Sequence, residues 1–468
     1  MKSILPLPIA SGAIAIALAS VNALPAFAAP PADADLIQRG QYLAAAGDCV
    51  ACHTTPGGKA LAGGLSLPTP VGAIVSTNIT PSKTYGIGTY TLPQFADALR
   101  KGVRADGQRL YPAMPYTSYA QVSDDDVKAL YAYFMNAVAP VDAPSPQTEL
   151  SFPFNIRLSM AAWNLLFLDS KPFEPDPSKS AEWNRGAYLV RGLTHCSACH
   201  TPRNVLMAEK ASRDLGGGEV GPWHAPNITS DANSGIGGWS ERDLIDYMRD
   251  GRAVNKAQAA GPMAEAIDNS LHLLQDSDLR SIAVYLKAVP AVRNDEDARP
   301  AFGWGAAADD LSGIRGVPLP ADPNQMSGPQ LYDAYCATCH QSDGQGSDDG
   351  GLPSLFHNTA LGRTNTNNLV MVLLDGIHRL PGASDILMPG FAHELSDQQI
   401  ATLGAYLTQR YGNPSAAVTT AQVQDLRAGS ASSFLIVATR VAMSAVAVLA
   451  ILVAAFWMFR RRRQGAAQ

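Results

Sequence analysis

A chain of 468 residues with 46% hydrophobic and only 16% charged residues has the apolar material for two to four packed domains. Its net charge of −6 includes four consecutive arginines at 460–463; without those four positive charges the remainder carries −10, which speaks against a nucleic-acid surface. Strand-like β-branched runs are few, so the expectation is a helical protein.

In chain order, the first feature is an export signal. Lys2 precedes the apolar run ILPLPIASGAIAIALAS, and Ala26-Phe27-Ala28 supplies a small-x-small cleavage site, so residues 1–28 read as a secretory signal peptide. An uncleaved anchor or a buried helix fits less well, because the apolar core is short and the cleavage site well formed. Export implies an oxidising compartment, where six cysteines would ordinarily form three disulfides.

These cysteines are arranged otherwise. All six lie in C-x-x-C pairs followed at once by histidine: Cys49, Cys52 and His53; Cys196, Cys199 and His200; Cys336, Cys339 and His340. The pairs are 147 and 140 residues apart, and more than cysteines repeats. RGQYLAAAGDCVACHT returns as RGAYLVRGLTHCSACHT, and NITPSKTYGIGTYTLPQFADALRKG as NITSDANSGIGGWSERDLIDYMRDG. The third copy keeps LYDAYCATCH and NLVMVLLDGI. Each copy closes on an amphipathic segment, DDDVKALYAYFMNAV, DSDLRSIAVYLKAV or SDQQIATLGAYLTQR, with Asp/Ser at the start and apolar residues at i, i+3, i+4 and i+7. Tyr133, Tyr285 and Tyr406 fall at equivalent points and are expected to pack against the helix that carries the Cys pair.

The repeats span 34–140, 180–292 and 326–412. A Pro-rich connector with the helical stretch MAAWNLLFL occupies 141–179, and an Ala-, Asp- and Gly-rich linker occupies 293–325. The expected class is all-α, with three small helical domains in series. After a linker at 413–440, residues 441–459 (VAMSAVAVLAILVAAFWMF) form an uncharged 19-residue run, long enough to cross a bilayer at ~1.5 Å per residue. Trp457 sits where an interfacial aromatic belongs, and the arginines that follow place residues 460–468 in the cytoplasm and the body on the periplasmic side.

Two cysteines three apart at a helix start lie on one face, and the next residue sets a histidine beside them. That geometry suits covalent haem attachment: two thioethers and an axial imidazole. A redox dithiol does not require the histidine. Structural zinc needs two pairs converging on one metal, usually with roughly 12–20 residues between them. Random disulfides would not fall as one pair per repeat.

A sixth ligand is expected from Met114, Met263 and Met388, each next to a proline and 61, 63 and 48 residues after its histidine. Met135, Met248 and Met371 sit inside helical patterns and read as packing. The other histidines, His195, His224, His272, His357, His378 and His393, read as surface or hydrogen-bonding groups; His195, directly before Cys196, is the one to watch. The segments at 78–80 and 227–229 match glycosylation sequons formally, but are expected to form turns near a haem edge. With no nucleotide fingerprint, triad or non-haem metal motif apparent, the chain is expected to move single electrons and not to oxidise an organic substrate by itself.

With its STNITPSKTYGIGTYTLPQF, RLYPAMPY, CHTPRN, APNIT, GPMAEAI and CHQSDGQGS stretches, the chain resembles the three-haem cytochrome c subunit of membrane-bound sugar and alcohol dehydrogenases of acetic acid bacteria and their relatives. The resemblance covers nearly the whole mature chain. It implies three tandem cytochrome c domains plus one C-terminal transmembrane helix, and three covalently bound haems c on the cysteines, histidines and methionines just named. The terminal anchor favours the branch that partners FAD-dependent enzymes acting on fructose, sorbitol, gluconate or 2-ketogluconate; a PQQ-dependent alcohol or an aldehyde dehydrogenase is the alternative. By that resemblance a separate catalytic subunit, with or without a small third subunit, passes electrons through the haems to ubiquinone at the inner membrane. A peroxidase-like haem enzyme would need an open sixth site, which three methionines oppose. A cytochrome serving a terminal oxidase would carry several spans or an N-terminal anchor.

Overall fold

A computed structural model describes residues 34–347, 351–379, 387–429 and 434–465. The expected signal peptide lies outside them.

The chain lays down one local plan three times: an opening helix, a tight turn with the Cys pair, and a closing helix crossing the opening one. The pairs are Ala34–Ala46 with Asp124–Asn136, Ala181–Tyr188 with Asp276–Ala288, and Gly328–Tyr335 with Asp397–Tyr411. Ser123 and Ser396 cap the first and third closing helices by accepting from Asp126 N and Gln399 N. The second has Gln275 at its N-cap position, with no side-chain cap; the Gln275 N–H donates to the Tyr42 hydroxyl instead, at 3.2 Å.

At each crossing the opening helix presents a glycine, because the helices meet almost backbone to backbone. A Cβ added at Gly40 would lie 2.0 Å from the Ala129 carbonyl oxygen, and one at Gly186 1.9 Å from that of Ser281. At Gly328 it would lie 2.4 Å from the Tyr406 Cβ. Tyr133 and Tyr285 occupy the corresponding places, each Cβ 2.7 Å from the position such an atom would take. The three tyrosines therefore pack against the opening helices, as expected, although the cysteines themselves sit on a separate short turn just beyond.

The three units are not equivalent beads. The first two share one continuous core, with Leu43, Leu130 and Phe134 from one side and Leu189, Leu193, Leu279 and Ile282 from the other. Their contact is reciprocal. Tyr42 donates to Asp278 at 2.6 Å, and Tyr188 donates to Asp126. Each aspartate also binds its own unit's arginine: Arg39 at Asp126 (2.5 Å) and Arg185 at Asp278 (2.6 Å). The third unit builds its own core around Leu331, Tyr332, Leu373, Leu403 and Tyr411.

Helices dominate, but the all-α expectation needs correction. Residues Ser66–Thr69, Gly72–Val75 and Glu149–Leu150 form a small antiparallel sheet, and two-stranded ribbons pair Gly218–Val220 with Trp223–Ala225, Arg252–Ala253 with Ala257–Gln258, and Ile377–His378 with Leu387–Met388. Strands of two to four residues are too short to show a period-2 pattern in sequence. The connector helix is present as Ser159–Phe167. Its buried Asn164 accepts from the Tyr116 hydroxyl (2.8 Å) and donates to the Lys101 carbonyl (3.0 Å). The last helix runs Phe434–Gly465 and is long and apolar enough to cross a membrane over Ile436–Met458, starting earlier than the expected 441 and taking in Arg440.

Asp278 shows what the reciprocal contact contributes. Burial opposes its ionisation, but hydrogen bonds from Arg185 and Tyr42 outweigh that and hold its carboxyl below the usual range. Tyr42→Phe should therefore cost about 1–3 kcal/mol at neutral pH by leaving a buried carboxylate short of a donor. A depressed folded-state pKa contributes stability above the unfolded value, so the penalty should shrink as pH falls below about 4 and through the folded value. Thermal unfolding of wild type and variant across pH measures both effects.

Candidate functional site

Each Cys pair sits on one short helical turn: Cys49–Cys52, Ser197–His200 behind Cys196, and Ala337–His340 behind Cys336. None of the six cysteines is paired in a disulfide. Burial pushes the Cys49 and Cys336 thiols up to about 12 and those of Cys52 and Cys196 to about 11. A redox dithiol needs the opposite, a thiol shifted toward thiolate. Among the described residues there is no group of three or more His, Cys, Asp or Glu side chains placed to hold a metal ion, so a zinc cluster is not formed.

The histidines are held alike. His53 Nδ1 lies 2.6 Å from the Thr77 carbonyl, His200 Nδ1 2.6 Å from that of Pro226, and His340 Nδ1 2.9 Å from that of Pro353. A carbonyl only accepts, so Nδ1 carries the proton and Nε2 keeps its lone pair. Burial lowers the pKa of all three imidazoles, that of His200 to about 4, keeping them neutral. An oriented neutral imidazole with a free Nε2 is what an iron ligand requires.

The Asn-Ile-Thr segments explain two of these contacts. Asn78 Oδ1 accepts from Thr80 N and Oγ1 at 2.9 and 2.7 Å, and Asn227 Oδ1 does the same for Thr229 at 2.8 and 2.7 Å. The amide groups are spent on the Val141 and Val292 carbonyls. These buried turns hold the carbonyl just before them against the histidine and leave no free acceptor for a glycan. The sequence pointed to the turns; it could not show that the residues ahead of them, Thr77 and Pro226, make the contact through backbone atoms.

Met114 lies in a turn closed by Tyr116 N donating to its carbonyl at 2.7 Å, and Met263 in the first turn of Gly261–Asn269; both are half-buried against the shared core. Met388 pairs with Ile377 in its ribbon and packs on the third core. Met248 and Met371 are buried within helices, in keeping with packing. The helix bearing Met263 also packs against the Cys49–Cys52 turn of the first unit.

His195 has a strained φ of 38° and stacks on Tyr119 of the first unit, with ring centroids 5.6 Å apart. The Tyr119 hydroxyl donates to the Gly47 carbonyl, beside the first Cys pair. Asp48 holds the same place in the first unit with φ 51°, and burial together with the nearby Glu265 pushes its carboxyl up to about 8. Both His195 Nδ1 and Asp48 Oδ1 are buried without a hydrogen-bond partner among the described residues. Cysteine pairs not joined in disulfides, imidazoles with a free Nε2 and orphaned polar atoms beside two of the cysteine pairs together fit a covalently held haem. A cleft of about 840 Å³ lined by Arg203, Arg213, His224, Asp297 and Arg363 holds none of the six cysteines and none of the candidate histidines or of Met114, Met263 and Met388, and is not the candidate site.

Two family models match: cytochrome c over residues 37–137, and cytochrome c oxidase, cbb3-type, subunit III over 323–407. Across 92% of both chains the sequence is 46% identical to the fructose dehydrogenase cytochrome subunit of Gluconobacter japonicus. The chain belongs to the cytochrome c subunits of dehydrogenases. It is 41% identical to the gluconate 2-dehydrogenase cytochrome c subunit of Pantoea cypripedii, over 83% of this chain and 88% of that one. It is 38% identical to the cytochrome c subunit of the quinone alcohol dehydrogenase of Komagataeibacter europaeus, over 85% of each. This dehydrogenase cytochrome is thus an electron-transfer protein carrying covalent haem c.

Its second and third units are locked together beside the methionine-bearing elements. Arg379, directly after the strand paired with Met388, is 1% exposed and reaches Asp268 Oδ1 with Nε at 3.2 Å and Nη2 at 2.5 Å. Its Nη1 donates to the Asp250 carbonyl. Asp268 lies on the Met263 helix. Arg379→Gln would leave a buried carboxylate unpaired and should cost about 3–5 kcal/mol. Arg379→Lys should recover only part of this, since one ammonium cannot replace the fork. Calorimetric unfolding of the haem-loaded chain measures both.

Proposed function

We propose that this subunit carries three haems c, on Cys49 and Cys52, Cys196 and Cys199, and Cys336 and Cys339. His53 with Met114, His200 with Met263, and His340 with Met388 would hold the three irons. The observation that carries the reading is the threefold recurrence of a Cys-x-x-Cys turn, with no disulfide, whose histidine is oriented by a backbone carbonyl. Each haem iron, when bound, accepts and returns one electron. The chain's residues orient the imidazole, exclude water from its face, and keep the thioether turns of the first two units in one packed core.

The electron donor is an FAD-dependent subunit that oxidises a sugar, polyol or sugar acid, and the acceptor is ubiquinone. The similarity to the fructose and gluconate dehydrogenase subunits over most of the chain supports this donor, with a PQQ-dependent alcohol dehydrogenase as the alternative class. The oxidase-named match covers a single unit, whereas the dehydrogenase relatives match over nearly the full length. The export signal, the apolar helix and the arginines after it support a periplasmic body on one C-terminal span, with its tail in the cytoplasm.

Intact mass under denaturing conditions should show three haem increments; fewer would remove one unit from the assignment. Met388→Ala should open one site to carbon monoxide and lower one potential by on the order of 0.1 V, within the roughly 0.8 V that axial ligands span. An unchanged spectrum and potential would overturn the third ligand pair. Adding the flavoprotein and its substrate anaerobically should reduce all three haems, and a ubiquinone analogue should reoxidise them; haems left oxidised would overturn the proposed route.

A further inference from the structure

The connector between the first two units is apolar on its outer side. In the helix Ser159–Phe167, Asn164 faces inward onto Tyr116 and Lys101. Trp163 donates its indole N–H to the Leu206 carbonyl at 2.9 Å, fastening the loop that follows His200 alongside the helix. Leu158, Leu165 and Leu166 fall at i, i+7 and i+8 and form an aliphatic stripe exposed to solvent, Leu165 at 86%. Val205, also 86% exposed, and Leu206 extend the stripe across the fastened loop. Single exposed leucines are ordinary; a contiguous set on two elements joined by a side-chain bond marks a contact surface.

The anchor helix identifies what covers it. Arg440, near the start of the apolar span Ile436–Met458, donates from Nε to the carbonyl of Phe152 at 3.3 Å. Phe152 is itself exposed and leads into the connector helix. A span that enters the bilayer at this point sets the touching segment at headgroup level, with the Arg440 guanidinium in the polar zone. The aliphatic stripe is thus continuous with the place where the chain enters lipid.

We propose that the connector helix and the loop at 204–207 form a monotopic seat, with Leu158, Leu165, Leu166, Val205 and Leu206 dipping into the leaflet beside the span. The proposal rests on the reading that Ile436–Met458 crosses the bilayer. The span tethers the body, and the seat sets how the body lies. Because Val205 is five residues beyond His200, the seat turns the second Cys unit toward the surface from which a lipid-soluble acceptor is reached.

The test uses the full-length, haem-loaded chain in vesicles of phosphatidylethanolamine and phosphatidylglycerol doped with a lipid that has a photoactivatable group in its acyl chain. Labelled peptides are mapped by mass spectrometry. Label is expected on 158–166 and 204–207 as well as on the span. In Leu165→Glu/Leu166→Glu, altered only at exposed positions, label on 158–166 should fall at least tenfold while span label and haem spectra stay unchanged. Label confined to the span would overturn the seat and leave the span reading intact; no label on the span would overturn that reading as well. Persistent label at 158–166 in the double variant would overturn the seat, as would an unlabelled stripe that the catalytic subunit protects from hydrogen exchange.

Discussion

Close backbone contact between two helices is the constraint on which the rest of this structure depends. At Gly40, Gly186 and Gly328 the opening helix meets the closing helix at a distance that leaves no room for a methyl group. A larger residue would wedge the pair apart, and the Cys turn that follows the opening helix would move with it. Helix propensity alone disfavours glycine at the interior positions 40 and 186 by about 1 kcal/mol relative to alanine. The tight crossing outweighs that cost, because it fixes where the next few residues, the cysteines and the histidine, emerge.

From that crossing the local chemistry follows in order. The turn carries two thiols and an imidazole, and an acceptor carbonyl from a second segment selects the imidazole tautomer. In the first two units the carbonyl is held by an Asn-Ile-Thr turn; in the third, Pro353 supplies it from a different loop. Equivalent function is therefore reached with non-equivalent sequence, which is why the third repeat is weaker to the eye. The shared core adds a relation between units. With Tyr42 and Tyr188 exchanged across the interface and His195 stacked on Tyr119, the first two Cys turns face a common seam, and relative motion of these two units would break buried hydrogen bonds.

Much of this could be read in the sequence, and the reasons are specific. The Cys-x-x-Cys-His strings carry their own geometry within five residues, and the closing helices announce themselves by period, the first and third also by their serine caps. The tyrosines at 133, 285 and 406 could be placed because the repeat aligned them. What could not be read depends on atoms without a sequence signature. The histidine acceptors are backbone carbonyls, and the ribbons are shorter than any periodicity. The fused core is a matter of which unit lies beside which, and Gly40 or Gly186 could pass for ordinary residues in an Ala-rich helix. The apolar helix begins at Phe434, ahead of the uncharged run at 441, because Arg440 interrupts the run of uncharged residues and not the helix; its guanidinium has a partner at Phe152.

The helix Thr420–Ala428 packs Val423 into the third core and ties Arg427 to Asp397 at 2.7 Å, so in chain order the long apolar helix follows the third unit. Yet the span meets the connector between the first and second units. The third unit is itself clamped to the second through Arg379 and through Asn368, which exchanges two 2.8 Å hydrogen bonds with the His224 backbone. On the reading that Ile436–Met458 crosses the bilayer, the Arg440 contact would make the helix more than a free tether: it would bias how the units lie on the membrane. The proposed relay from a donor in water to an acceptor in lipid needs that orientation as much as it needs the redox centres themselves.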